Sequence, residues 1–305
     1  MRTRILILSA VFLTGMTLQA QEAVKDTTWK MGGLISATFG QVNLSNWASG
    51  GFNSINAAGN INYFANYKKG KGSWDNDLLM AYGLLKQGEG DVAKTDDRLD
   101  FTSKCGRETS WSPKWNYSLL GNFRTQFTEG LDANGNRISD IMAPAYGLAA
   151  LGLDYKPSDN FSLFISPVTA KFTWVTDEVL ATAGAFGVDP GEFSVDSLGN
   201  LTIVKPGSTS RAEFGGYLKA MYNQTLMENV NFTTRLDLFS NYEEPTQIDV
   251  NWDTMISLRV NDYITTSLGV TVLYDHDILI AQPDGTSGRR TQFREVFGVG
   301  FAYQL

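Results

Sequence analysis

Residues 291–305 read TQFREVFGVGFAYQL. Phe293, Phe297, Val299, Phe301, Tyr303 and Leu305 fall on one parity, and Arg294, Gly298, Gly300, Ala302 and Gln304 on the other. This period of two makes a strand with one greasy face. In a soluble sheet the second face would be polar and solvated; here it is small as well as polar. A membrane-spanning strand needs about 9–11 residues, and counting back that far from Leu305 reaches Glu295, the one charge on the apolar parity. The charge falls where lipid would end, so the stretch reads as the closing strand of an outer-membrane barrel.

The rest of the chain repeats the pattern. Apolar alternation broken by turn chemistry predicts strands at 28–42, 53–67, 73–87, 97–111, 114–128, 142–155, 161–175, 211–225, 229–242, 247–260, 263–274 and 291–305. That is about twelve, the even number typical of bacterial single-chain barrels, and no helical period competes over a comparable length. Connections at 68–72, 112–113, 157–160, 227–228 and 261–262 are short. Those at 43–52, 88–96, 129–141, 176–210 and 275–290 are longer, with 243–246 the exception. Alternation of this kind separates periplasmic turns from extracellular loops and puts both ends of the barrel in the periplasm. The expected class is all-β, a transmembrane antiparallel up-and-down β-barrel of about twelve strands.

Residues 1–20 carry Arg2 and Arg4, an apolar run from Ile5 to Leu18, and Ala20 before Gln21, the layout of a cleaved secretory signal peptide. Residues 21–27 then form a short periplasmic segment ahead of a barrel over 28–305. The expected location is the cell outer membrane, with its lipid and lipopolysaccharide as surroundings. A formal net charge of -7 over 305 residues argues against nucleic acid as a partner. Cys105 is the only cysteine, so no intramolecular disulfide forms; it reads as a small apolar filler. The closing residues Phe301, Tyr303 and Leu305 fit a terminal signal for the barrel-assembly machinery.

Side-chain facing follows from parity. On 114–128, Trp115, Tyr117, Leu119, Phe123 and Phe127 oppose Asn116, Ser118, Asn122, Arg124 and Gln126. On 161–175 the apolar set changes parity, from Phe161, Leu163 and Ile165 to Val168, Ala170, Phe172 and Trp174, with Pro167 at the switch. A bulge is predicted there. Trp74, Trp111, Trp115, Tyr155, Tyr263 and Tyr303 flank short turns, while Trp174, Tyr242 and Tyr274 flank long loops, as interfacial girdles do. Within 176–210, residues 193–195 and 201–204 read as a small hairpin, folding over the mouth, into it, or lying on the surface as a flap.

The inward parity collects Asp75, Asp77, Asp100, Lys104, Arg124, Asp154, Lys171, Glu213, Lys219, Arg235, Asp237, Asp249, Asp253, Arg259 and Arg294. These residues either select solutes at a constriction or fill a narrow barrel as a paired network. Trp47, Gly50 and Gly51 form a loop motif that either packs on the rim or recognises a partner. Asp132, Asn134 and Asn136 have the alternating oxygens of a calcium loop, but the glycine is misplaced and no glutamate closes it. An Asn-Gly turn accounts for that stretch without metal. His276, between Asp275 and Asp277, is the single histidine; with Ser257 or Ser267 it would supply the parts of a membrane hydrolase. No cofactor is expected.

Asn46-Trp47 with Gly50-Gly51, Thr95-Asp96-Asp97-Arg98, Thr125-Gln126-Phe127, Leu153-Asp154-Tyr155-Lys156-Pro157 and Phe239-Ser240-Asn241-Tyr242 resemble the motifs of an outer-membrane barrel family of Bacteroidota known as a domain of unknown function. The resemblance runs over nearly the whole mature chain and implies fold and location without an activity. Three functions stay open: a passive channel for small polar solutes with a mixed-charge lumen, a non-conducting partner in envelope assembly, secretion or surface attachment, and a membrane hydrolase.

Overall fold

The computed structural model describes residues 28–45, 51–132, 135–195, 201–281 and 286–304. Twelve strands form the wall: β1 (Trp29–Val42), β2 (Ser54–Lys69), β3 (Gly72–Gln87), β4 (Val92–Glu108), β5 (Trp115–Thr125) and β6 (Ala145–Ser158). They continue as β7 (Phe161–Trp174), β8 (Ser210–Met227), β9 (Val230–Asn241), β10 (Ile248–Arg259), β11 (Ile264–Tyr274) and β12 (Gln292–Gln304). Each bonds to its chain neighbours and β12 closes on β1, so the sheet has no free edge.

The closing strand takes its predicted place, with Leu34 opposite Gln304 and Thr38 opposite Gly300. Phe293, Phe297, Phe301 and Tyr303 all face outward and are exposed, Phe301 at 71%, where a bilayer would cover them. Gly300 is fixed by close approach: a Cβ there would strike the Ala37 carbonyl of β1. Gly300→Ala should therefore loosen the seam by about 1–3 kcal/mol, as overpacking does. The readout is a lower temperature at which the folded band disappears on unheated gels, and an unchanged temperature would contradict it.

Pro167 marks the predicted register change. Leu151 pairs with Val168 but Leu153 with Ile165, and on the other side Gly215 pairs with Thr169 but Tyr217 with Ser166. One residue on each neighbour, Gly152 and Gly216, therefore stands against two, 166–167 and 167–168 respectively, and Ile165 and Val168 end up on the same outer face. The Ser166 hydroxyl fills the gap, donating to the Leu151 carbonyl at 2.8 Å and accepting from Thr169 Oγ1 at 2.8 Å. Tyr242 donates its hydroxyl to the freed Pro167 carbonyl at 2.6 Å. Aromatics at the strand ends pack in pairs: Trp29 with Tyr67 at 5.1 Å and Trp115 with Tyr155 at 4.8 Å near short turns, Phe172 with Trp174 at 5.8 Å near a long loop.

Several sequence boundaries need correction: the fourth strand ends at Glu108 rather than 111 and the sixth runs over Ala145–Ser158 rather than 142–155, and two further shifts have a visible cause. β4 begins at Val92 rather than 97, which leaves only 88–91 as a loop and makes a second exception to the alternation of long and short connections. The register shifts opposite Gly83 and Leu84, which pair with Asp96 and Lys94. That bulge carries the strand onward through residues whose polarity reads as loop. β5 ends at Thr125 rather than 128. There the Asp97 carboxylate accepts the backbone N–H of Phe127 at 2.7 Å and of Thr128 at 3.0 Å, peeling the chain away from the wall.

The loop from β7 to β8 folds over the mouth at the long-loop end. It contains α1 (Glu178–Thr182) and the predicted hairpin, Glu192–Val195 with Leu201–Lys205. Val175, Leu180, Ala181 and Val188 bury against Ala143 of the preceding loop, and the Thr176 amide donates to the Met142 carbonyl at 3.1 Å. Over the mouth, Arg211 donates to the Gly187 carbonyl at 3.0 Å and pairs with Asp277 at 2.8 Å. Gly187 has φ +81, and a Cβ there would crowd Asp277 and Arg211.

Candidate functional site

Strand pairing decides which inward side chains meet. In a ring of twelve, β4 and β10 stand six places apart and face each other across the lumen. From β4, Arg98 grips Asp253 of β10 with both carboxylate oxygens, at 3.2 and 3.0 Å. This planar two-point contact spans the barrel. Thr271 adds a hydroxyl donor to Asp253 at 2.8 Å.

Behind this crossbar, toward β5–β9, inward side chains fill the middle of the lumen. Asp100 accepts from Arg98 at 3.0 Å and Asn122 at 2.7 Å and pairs with Arg235 at 3.4 Å. Arg235 also binds Asp237 at 2.7 Å, which takes Lys219 at 3.2 Å and the Tyr217 hydroxyl. Leu120, Ala150, Phe164, Tyr217 and Phe239 pack into one buried cluster, and Asp100 is only 2% exposed. Toward the short-turn end, Lys104 pairs with Asp154 at 2.7 Å, while Lys156 joins Asp154 at 3.4 Å to Asp75. Toward the mouth, Lys171 is shared by Asp249 at 2.6 Å, Glu213 at 3.2 Å and Asp275 at 3.9 Å. Such charges are tolerated in the interior because each has a partner. Asp77 makes no direct ion pair among the described residues, and Lys219, Arg235 and Lys104 are the cations that act on it.

In front of the crossbar the wall is different. The inward residues of β12 and β1 include Gly298, Gly300, Ala302, Ser36 and Thr38, while β2 presents Asn56, Asn60, Asn62 and Phe64, all four exposed. A cavity of about 1240 Å³ opens at the short-turn end, lined from all round the barrel with Lys104, Lys156 and Lys219 among its walls, and on this side it reaches Asn66, Phe64 and Asn62. Near the outer end Arg294 of β12 reaches Asp96 of β4 at 2.5 Å, and at the short-turn rim Lys30 of β1 reaches Asp159 at 3.7 Å. The lumen is therefore a filled half beside a water-accessible slot.

The predicted lumen residues thus separate. Asp75, Asp154, Lys171, Arg235, Asp237, Asp249 and Asp253 join the paired network. Arg124 lies over the Tyr146 ring at 4.9 Å, a cation–π contact. Arg259 turns instead to Asp262 in its own short turn. Arg294 is the predicted charge that borders the slot. Sequence reasoning missed Arg98 and Asp96. Arg98 shares parity with Asp100 and Lys104, so alternation alone could have found it; Asp96 was hidden by the late strand start.

The remaining candidates do other work. Trp47 and Gly50 lie outside the described residues, and Gly51 has φ +117. Asn134 also lies outside the described residues, and Asp132 accepts from the backbone N–H and side-chain amide of Asn136, at 2.8 and 3.0 Å. His276 Nδ1 sits 3.2 Å from the Tyr274 hydroxyl. Ser267, paired with Ser257 and Gly298, lies seven residues below Tyr274, about 20 Å down the strand. No serine–histidine constellation is assembled there.

Asp177 caps α1 by accepting the Leu180 N–H at 2.8 Å and pairs with Arg137 at 2.8 Å. The Leu180 amide first, and Arg137 second, hold its carboxyl below the usual carboxylate range. A depressed carboxyl stabilises the fold above its unfolded value of about 3.9, and that contribution disappears as pH falls through the folded value. Hydrogen exchange at Leu180, corrected for intrinsic rate, should accelerate between neutral pH and pH about 3. Asp177→Asn, an uncharged cap, should flatten that dependence, and equal dependence in both proteins would contradict it.

Residues 39–131 match a family model described as a protein of unknown function (DUF3078). No curated protein matches the chain. Among solved structures, the chain is similar to the COG4313 outer membrane channel from Pseudomonas putida F1, at 8% identity and a TM-score of 0.37, covering 91% of this chain and 96% of that one. It is also similar to the NanC porin, at 9% identity and a TM-score of 0.34, covering 89% and 99%. A third is the outer membrane channel DcaP of Acinetobacter baumannii, at 9% identity and a TM-score of 0.30, covering 91% and 97%.

Proposed function

We propose that this barrel is a passive outer-membrane channel for small polar solutes, with its path along β11, β12, β1, β2 and β3 rather than down the barrel axis. The observation that carries this reading is the exposure of the inward Asn56, Asn60 and Asn62 opposite a wall of buried inward side chains. About eight strands are just filled by side chains and 16–18 leave an open channel; twelve, half filled, leave a narrow one. The purified barrel should give small, stable current steps in planar bilayers. A folded barrel that never conducts would remove the reading.

The mixed charges then act as a structural wall, and the Arg294–Asp96 pair as the constriction. Export through a cleaved signal at 1–20 belongs to this proposal, as does recognition of Phe301 and Tyr303 by the assembly machinery. N-terminal sequencing of the mature protein tests the first.

A second reading, a non-conducting barrel that holds an envelope partner, draws on the extracellular hairpin. Phe193 and Ile203 pair across its strands and both are exposed, as is Val195. Recovery of a stoichiometric partner from solubilised membranes would support it, and recovery of the barrel alone would count against it.

A further inference from the structure

The charges of the lumen are segregated. Between Lys30 and Lys68 at the periplasmic rim and Arg294 near the outer end, the inward positions of β11, β12, β1 and β2 carry no ionisable group. Every other membrane-level charge inside the barrel lies on β3–β10. In place of charge, β2 presents Asn56, Asn60, Asn62 and Asn66 on one face, with Phe64, 36% exposed, between the last two. Asn66 Oδ1 is buried beside the cavity and has no hydrogen-bond partner among the described residues.

A primary amide offers two donors and an acceptor on one side chain. Its natural complement is a group that both donates and accepts, and a hydroxyl is such a group. Residues two apart on one face of a strand lie about 6.5–7 Å apart, so Asn60, Asn62 and Asn66 form a row rather than a single point. Phe64 gives that row an apolar patch against which a ring with one C–H face can lie. At the level of Asn60 and Asn62, whose β3 neighbours are Ala81 and Leu79 and where Arg98 and Asp253 satisfy each other, an ion would lose hydration with no unpaired opposite charge to replace it. Asp77, which has no ion pair among the described residues, stands lower, beside Phe64. A neutral hydroxylated solute exchanges hydrogen bonds to water for hydrogen bonds to amides at much smaller cost.

We propose that the slot is a path for neutral, polyhydroxylated solutes of the mono- to oligosaccharide class, which bind transiently along the β2 asparagine row as they pass. This rests on the channel reading above and gives it a substrate class. Maltotriose in the bath should reduce single-channel current in a concentration-dependent way. In vesicle swelling it should enter faster than triglycine, a smaller zwitterion. Asn60→Ala combined with Asn62→Ala widens the slot and removes amides, so it should raise the current and abolish the maltotriose block. Current that is indifferent to maltotriose, with swelling rates ordered by size alone, would overturn the substrate class and leave the channel standing. Absence of any current would overturn both.

Discussion

Asp100→Ala should be the most damaging single change in the lumen, destabilising the barrel by about 3–5 kcal/mol, the usual result of removing one partner from a buried ion cluster. Asp100 is 2% exposed and serves Arg98, Arg235 and Asn122 together. Its removal leaves two guanidiniums facing one another with Asp253 and Asp237 as their remaining anions. Both guanidiniums are largely buried, with side chains 13% and 15% exposed, so water replaces the lost carboxylate poorly. Asp253→Ala should cost less, since Arg98 keeps Asp100. Urea unfolding in detergent or vesicles measures both, and equal effects would mean that the network is not centred on Asp100.

Arg294→Ala should have the largest effect on transport. The side chain spans the outer end of the slot and meets Asp96, so truncating it widens the narrowest point and raises conductance. It also removes the positive partner and leaves a carboxylate at the constriction, so the reversal potential in a salt gradient should move toward the cation's equilibrium value. Asp96→Asn should do the opposite in sign, leaving Arg294 unpaired and favouring anions. Identical selectivity in the wild type and both variants would place the conducting path elsewhere.

The fold was legible because every strand obeys one rule: a lipid-facing parity and a lumen-facing parity. Even the exception was readable, since Pro167 cannot donate to the ladder and the apolar set changes side around it. The lumen was only half legible. Parity says that Arg98, Asp100 and Asp253 point inward, but not that β4 and β10 face each other once the ring closes, which brings Arg98 to Asp253 across 155 residues. Nor does parity separate a filled half from an empty one. That difference comes from residue size, with Phe164, Tyr217 and Phe239 on one side and Gly298, Gly300 and Ala302 on the other. The late start assigned to β4 had a specific cause: a bulge beside Gly83 joins polar residues to the strand, and a charged run such as Thr95 to Arg98 looks like a loop until its ion pairs are known.

The slot has one direct test, and the single cysteine makes it clean. Cys105 faces outward, between Trp74 and Leu119 on neighbouring strands, so Cys105→Ser clears the background without touching the lumen. In that background, Asn60→Cys should be modified by a hydrophilic thiol reagent with a sharp fall in single-channel current. Ser118→Cys, inward on the filled side where the native residue is 2% exposed, should be left unmodified with its current intact. Block at position 118, or none at position 60, would contradict the half-filled lumen on which the functional reading depends.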